Sequence, residues 1–476
     1  MNRAAQVARE DVLAFINAAT ASTGQREFAS TAAAQTLSVD FLHEYVLGNY
    51  RDLYAATLAL DVNDHNAALI MANLLGVPHD NPARREVEGR LIAARLATMP
   101  PQRVYRLFTR LQKAGVNNSR ARAIIRNWVY ARPAIALDAI KYRRGLTAAA
   151  RHAHLRLPDE IGMVLFDWKR PNRYTTPLLE TWRRAHYDRS AITDLPYTVA
   201  EGFAARRGLK RETLLTKVQL TKAERLRLAG AAKRAGVTLE TDLGTQPLTR
   251  LATYVLSLER SERGKRLEEL TTALRASANR AAGVHRGTWG RVVTVGDDSY
   301  SSYGSGTKRR RPLAVALAVH YLAEALASEH HGLWLSHQGD PLLVHPQGAT
   351  PLGRRLLDGL ALAPDRLLIV SDGWDNDPPG GASEVLRVWR QRLDPQQNTK
   401  IVHLNPVYDP DTYLVRPLAP HLSGVPSVGI RDGQDAVTLV EIARFVTGEA
   451  SFDDLVVYLD SQVARALGRA MEQEEL

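Results

Sequence analysis

Asp297, Ser299 and Ser301 occupy alternate positions of Asp297-Asp298-Ser299-Tyr300-Ser301, directly after the β-branched run Val292-Val293-Thr294-Val295. One carboxylate and two hydroxyls spaced D-x-S-x-S at the carboxyl end of a predicted buried strand can converge on one hard cation. Mg²⁺ takes octahedral oxygen ligands and gives up water reluctantly, so a donor set with few charges and several hydroxyls suits it, or another divalent cation. One coordination position is left open for a partner's oxygen. Two later segments carry matching chemistry: Thr350 in Gly348-Ala349-Thr350-Pro351-Leu352-Gly353, and Asp372 after the apolar run Leu367-Leu368-Ile369-Val370-Ser371.

A second group of residues pairs cations with aromatic rings. Arg120, Arg122 and Arg126 fall in a segment ending Asn127-Trp128-Val129-Tyr130, with a Ser N-cap signal at Ser119 and Arg122 and Arg126 four apart on one helix face. The theme returns in Lys141-Tyr142-Arg143-Arg144, in Arg151 and His154 of Arg151-His152-Ala153-His154, and in Lys169-Arg170-Pro171-Asn172-Arg173-Tyr174. Guanidinium groups grip phosphates bidentately, and Tyr, Trp and His stack on unpaired bases. Trp128 and Trp182 are expected to fill the helical core instead.

The charge of the chain supports this reading. Net charge is +11, but residues 81–290 alone hold 41 Lys and Arg against 18 Asp and Glu. No acid lies between Glu88 and Asp138, a stretch with ten basic residues. Such a segment repels itself unless counterions or a polyanion neutralise it.

The elements that must position these residues fall into two classes. Over about 286–447, predicted strands alternate with helices: a long apolar helix from Arg311 to Ser328, strands at Gly332–Ser336 and Pro341–Val344, and a helix from Pro351 to Leu362. Then come a strand at Arg366–Val370, a helix near Ser383–Leu393, strands at Lys400–Leu404 and Val425–Ile430, and a helix at Ala436–Val446. That alternation predicts a mostly parallel sheet covered on both faces, whose ligands bind at the carboxyl ends of the strands. Residues 1 to about 285 read as helical almost throughout, in segments of roughly 10 to 15 residues broken at Val77-Pro78, Met99-Pro100-Pro101, Arg132-Pro133 and Leu157-Pro158. Paired short helices predict an α-solenoid, with a plain multi-helix domain as the alternative. A capped helix from Ser451, over 448–476, is expected to pack its apolar face on the rest of the chain.

Other chemistries find little support. The chain has no cysteine, which excludes disulfides and thiolate zinc sites. No G-x-x-x-x-G-K-[ST] loop is present, and Gly304-Ser305-Gly306 is too short for a dinucleotide. Glu329-His330-His331, taken as a helix end, places its histidines apart, and Asp372, Asp375 and Asp377 start a calcium-type loop without its downstream Glu. The expectation is a protein without catalytic residues. Met1 to Asn17 lack the uninterrupted apolar core of a signal peptide, and no run of about 18 apolar residues appears, so a cytoplasmic protein without a membrane partner is expected.

Asp297, Ser299, Ser301, Thr350 and Asp372 together resemble the metal-ion-dependent adhesion site of von Willebrand factor A domains, although Asp298 and Tyr300 replace residues that are small or apolar in that family. The resemblance leaves Asp298 either altering metal preference or pointing to solvent. A basic helical module followed by such a domain resembles the Ro autoantigen, or TROVE-module, family. The implied fold is an α-helical repeat, a HEAT-like solenoid or ring over 1–285, followed by a Rossmann-like α/β von Willebrand factor A domain over 286–447. The implied function is binding of small noncoding (Y-like) RNA, or of the single-stranded ends of misfolded RNA, with an exoribonuclease or other protein as a further partner. The alternative is a metal-dependent adaptor whose A domain recruits an acidic partner, such as an AAA+ ATPase.

Overall fold

The computed structural model describes residues 3–79, 81–166, 171–420, 422, 424–446 and 450–474. The chain divides into two compact units, one formed by residues 1–67 and 242–465, the other by 68–241 and 466–476. Helices fill the first half of the sequence, and a parallel sheet with crossover helices follows.

The sheet of the first unit has strands β1 (Arg291–Gly296), β2 (Glu329–Trp334), β3 (Arg366–Val370), β4 (Lys400–Asn405) and, after a short hairpin of β5 (Tyr408–Asp409) and β6 (Leu414–Val415), β7 (Ser427–Gly429). Their order is β2-β1-β3-β4-β7 and every pairing is parallel. Buried on both faces, the central strands read as continuous apolar runs such as Leu367-Leu368-Ile369-Val370. From β1 the chain goes to one side to make β2, then crosses to the other side to make β3. The crevice at the carboxyl ends of β1 and β3 is therefore the topological switch point, where open α/β sheets bind ligands.

One face of the sheet carries Val293, Val295, Leu367, Ile369 and Ile401, packed against Leu352, Leu356 and Leu360 of the Leu352–Ala361 helix and Ala382 and Leu386 of the Gly381–Val388 helix. The Arg311–Leu326 helix lies between β1 and the helices Leu248–Ser257 and Leu267–Ala282. That location explains a helix apolar on nearly every side. The first helix, Arg3–Ala21, covers the β7 edge: Asn17 Oδ1 accepts from Gly429 N at 2.9 Å. Ser38 and Tyr408 share a hydroxyl–hydroxyl hydrogen bond of 2.6 Å. Covering an edge strand in this way blocks its pairing with another chain.

Several sequence expectations are corrected here. Pro341–Leu343 is a 3₁₀ turn instead of a strand, because Asp340 caps it through Leu342 N. β2 begins at Glu329, so Glu329-His330-His331 is strand and not a helix end. The helix after β3 ends at Val388 and continues as a π turn, Trp389–Leu393, around buried Arg390. The C-terminal helix, Phe452–Glu474, begins at the Ser451 cap and buries Leu455 and Leu459, with Tyr458 against Phe445.

In the second unit, helices near in sequence contact one another, as in a helical repeat: Pro82–Thr98 with Ser119–Tyr130, and Pro101–Lys113 with Arg143–His152. Asn118, not Ser119, caps the Ser119–Tyr130 helix, accepting from Ala121 N at 2.8 Å. Gly145 lets two helices meet, because a Cβ there would lie 2.6 Å from Tyr105 Cβ. Among the described residues no helix is long and apolar enough to cross a membrane.

Candidate functional site

Three loops meet at the switch point. Asp297 follows β1, Asp372 follows β3, and Gly348-Ala349-Thr350 precedes the Leu352–Ala361 helix. They are tied together by their backbones. Asp297 N donates to Val370 O at 2.9 Å, Gln347 N to Asp298 O at 2.9 Å, and Tyr300 N to Gly348 O at 3.1 Å. Thr350 N donates to Asn376 Oδ1 at 2.8 Å.

Asp297, Ser299, Ser301 and Asp372 lie at this junction, and the loop of Thr350 is joined to it through the backbone. Asp297, Ser299, Thr350 and Asp372 are all buried. Ser299 N donates to Asp297 Oδ1 at 2.8 Å, and the hydroxyls of Ser299 and Ser301 are 3.2 Å apart. Ser301 lies near enough to Asp372 to lower its carboxyl against burial, and Trp374 N donates to Asp372 Oδ1 at 3.0 Å. Burial, and then the charge of Asp372, push the Asp297 carboxyl upward; burial raises Asp372 as well. Burial is the first cause at both carboxyls, and the positive charge of Arg416 offsets it only in part at Asp372. With two serine hydroxyls and a threonine, the donor set is the oxygen-rich kind that a Mg²⁺-sized cation takes. Among the described residues no group of three His, Cys, Asp or Glu is placed to hold a metal, so a cation here depends on hydroxyls and water.

Asp298 neither faces solvent nor joins the donors. It is fully buried and accepts from Ser336 N at 3.0 Å and from the Ser336 hydroxyl, fixing the end of β2. Tyr300 is exposed, its ring edge-on to Phe28 at 5.9 Å. The outer supports were not singled out from the sequence. Ser371 Oγ donates to Asp297 Oδ2 at 2.8 Å. Asn405 Nδ2 bridges Asp372 O and Arg416 O at 3.1 and 3.0 Å. Arg416 covers the Trp374 ring at 3.7 Å. His403 is a core residue, hydrogen-bonded to Ser427 Oγ at 2.8 Å and to Ser371 O at 3.1 Å, and burial lowers its basicity. Only Ser371, beside Asp372, carried a local signal.

In the helical unit the cations divide by what they touch. Residues 68–241 hold 33 Lys and Arg against 14 Asp and Glu. The acids that flank the acid-free stretch are both buried and reach into it: Glu88 pairs with Arg120 at 2.9 Å, and Asp138 with Arg132 at 2.7 Å and with Tyr105 Oη at 3.0 Å. Arg120 also donates to Arg85 O, so its guanidinium is engaged within the fold. Arg122 is half-buried; Arg126, Lys141, Arg143, Arg144, Arg151, His154 and Arg173 are exposed. Lys169 and Arg170 lie outside the described residues.

Three of the candidates converge. Arg143, Arg144 and Arg151 line one groove of about 390 Å³ with Thr147 and Gln112, and no acid lines it. They lie at the first, second and ninth positions of the Arg143–His152 helix, on one side, spanning roughly 12 Å along the axis. None of the three makes an ion pair among the described residues, and Arg151 sits over the exposed Phe166 ring at 5.6 Å. As expected, Trp128 and Trp182 are largely in the core; Trp128 Nε1 donates to Leu96 O at 3.2 Å.

No family model and no curated protein matches the chain. Among solved structures, the chain is similar to the crystal structure of the Deinococcus radiodurans Ro (RSR) protein. The two are 16% identical, the match covers 86% of this chain and 94% of that one, and the TM-score is 0.49.

Proposed function

We propose that this protein is a noncatalytic RNA-binding protein of the Ro type, working in the cytoplasm. Its helical unit would grip the phosphates of small noncoding RNA or of the single-stranded ends of misfolded RNA. The carrying observation is the groove of Arg143, Arg144 and Arg151, three exposed guanidinium groups on one helix side with no carboxylate along it. Guanidinium groups bind phosphate bidentately, and unneutralised cations attract a polyanion by releasing its counterions.

The von Willebrand factor A-type site has a separate part in this reading. Asp297, Ser299, Ser301, Thr350 and Asp372 would hold Mg²⁺ or another divalent cation. Bound there, the ion supplies an open coordination position for a carboxylate of a protein partner, an exoribonuclease among the candidates. The second reading, a metal-dependent adaptor for an AAA+ ATPase or another partner, draws on the same buried carboxylate pair.

Electrophoretic mobility shift with a structured RNA bearing a single-stranded 3′ tail tests the first reading. Binding should tighten steeply as salt is lowered. Absence of salt-dependent binding, together with EDTA-sensitive copurification of an ATPase, would favour the adaptor instead.

A further inference from the structure

Beside the arginine groove lies a second cavity, of about 530 Å³, within the same helical unit. Arg143 lines both. Its remaining lining differs in kind: Tyr142, Trp182, His186 and Phe203 supply aromatic rings, and Lys141 and Arg206 supply charge. No acidic side chain lines it.

The aromatic part is a rigid wall in which Trp182 and Phe203 are mostly buried and back the more accessible Tyr142 and His186. Trp182 meets His186 edge to face at 4.9 Å, and His186 meets Phe203 in the same way at 4.7 Å. Trp182 comes from the Pro177–Arg184 helix and Phe203 from the Tyr197–Arg207 helix, so the wall is held by two packed elements. Lys141 Nζ lies over the Tyr142 ring at 5.4 Å. Thr198 lines the cavity, and its buried hydroxyl has no hydrogen-bond partner among the described residues. Lys141, Arg143 and Arg206 are exposed and make no ion pair among the described residues.

We propose that this cavity takes one unstacked nucleobase of a bound RNA strand, while Lys141, Arg143 and Arg206 hold the flanking phosphates. The inference rests on the RNA-binding reading above and deepens it. Its volume falls within the roughly 300–1,000 Å³ of small-ligand sites. A base has an apolar face for the rings, a polar edge for the mouth of the cavity, and a phosphate on either side for the cations. An apolar peptide would leave the cations unanswered, and an inorganic anion would leave the rings unused. The arginine groove continues from Arg143, so a strand whose base enters the cavity has a basic path for its next phosphates.

Gly202 provides the test. It lines the cavity, and a Cβ there would meet nothing within 4 Å, so a side chain can be added into open space. The full-length protein is titrated with a 12-nucleotide single-stranded RNA carrying 2-aminopurine at every third position, reading anisotropy for affinity and fluorescence quenching for stacking. Wild type should bind the strand and quench the probe. Gly202→Phe should bind about tenfold more weakly and lose most of the quenching, as expected when one base–aromatic stack is lost. Equal affinity and quenching for Gly202→Phe and wild type would overturn the base pocket while leaving the RNA reading standing. No binding by wild type would remove both. Should Gly202→Phe melt early by circular dichroism, Arg206→Ala takes its place: at least threefold weaker binding is expected, and unchanged binding overturns the proposal.

Discussion

Replacing Arg143, Arg144 and Arg151 together by alanine should flatten the salt dependence of RNA binding without unfolding the helix that carries them. All three are exposed and line one groove, and arginine and alanine both favour helices, so the fold loses little more than the contact of Arg151 with Phe166. For single strands each neutralised phosphate contributes about 0.7 to the slope of log affinity against log salt. Three contacts therefore account for a slope of about 2. Between roughly 50 and 200 mM salt, wild type should lose about 20-fold more affinity than the triple variant. The measurement is a set of mobility-shift titrations at three or four salt concentrations, with the midpoint of thermal unfolding followed in parallel. A control variant lacks Arg225, Arg227 and Arg234, which are exposed on the Lys222–Arg234 helix. An unchanged slope in the groove variant would show that these three arginines bind no phosphate. An equal drop in the control would refute the reasoning too, since the effect would then belong to net charge and not to the groove.

The remaining predictions concern what holds these sites in place. Arg120→Ala should destabilise the protein by about 2–4 kcal/mol in denaturant titrations, because it takes a cation from the buried Glu88 carboxylate, discounted for the partial exposure of Arg120; a change below about 0.5 kcal/mol would contradict that role. Gly145→Ala should destabilise despite alanine's higher helix propensity, since its Cβ would meet Tyr105 at 2.6 Å, whereas Gly202→Ala should be neutral or stabilising by up to about 1 kcal/mol. Thermal melts that rank these two variants the other way would sink the packing argument. At the candidate cation site, burial and then Asp372 raise the Asp297 carboxyl to about 7. A carboxyl raised in the folded state contributes stability at low pH that is lost as pH climbs through its folded value. In EDTA the melting temperature of wild type should therefore fall relative to Asp297→Asn from about pH 5 to pH 8, and Mg²⁺ should raise it more at pH 8 than at pH 5. An equal Mg²⁺ effect at both pH values would argue against the site.

What the sequence disclosed about the two sites follows from how local each signal is. Asp297, Ser299 and Ser301 share one loop after a strand, so their spacing alone brings them together, and Thr350 and Asp372 each sit where a strand or helix boundary is marked by apolar runs and glycines. The part played by Asp298 was hidden because its partner, Ser336, lies 38 residues on, at the end of a neighbouring strand. The acid-free basic stretch was plain from composition. Which of its cations are used by the fold was not, because Glu88 and Asp138 reach Arg120 and Arg132 only through helix packing. The aromatic cavity was illegible for the same reason: Tyr142, Trp182 and Phe203 belong to separate segments, and nothing in their spacing announces a common wall.

The two sites share a physical logic. In the helical unit, the carboxylates bordering the acid-free stretch are drawn inward to pin helices, and each is matched by a guanidinium within 3 Å. The surface arginines of the groove are then left without carboxylates, and their mutual repulsion costs stability that only counterions or a polyanion remove. In the sheet unit the excess has the opposite sign: two carboxylates are buried at the switch point, hydrogen-bonded by serines but by no cation among the described residues. Hydrogen bonds from hydroxyls lower the cost of that charge, and desolvation outweighs them, which is why both carboxyls remain raised. The helical unit thus folds with exposed cations that no carboxylate answers, and the sheet unit with two buried carboxyls whose ionisation burial disfavours and Arg416 opposes only in part at Asp372. A ligand binds most strongly where it relieves such an excess, so under the proposed function the arginine groove would favour phosphates and the carboxylate pair a divalent cation.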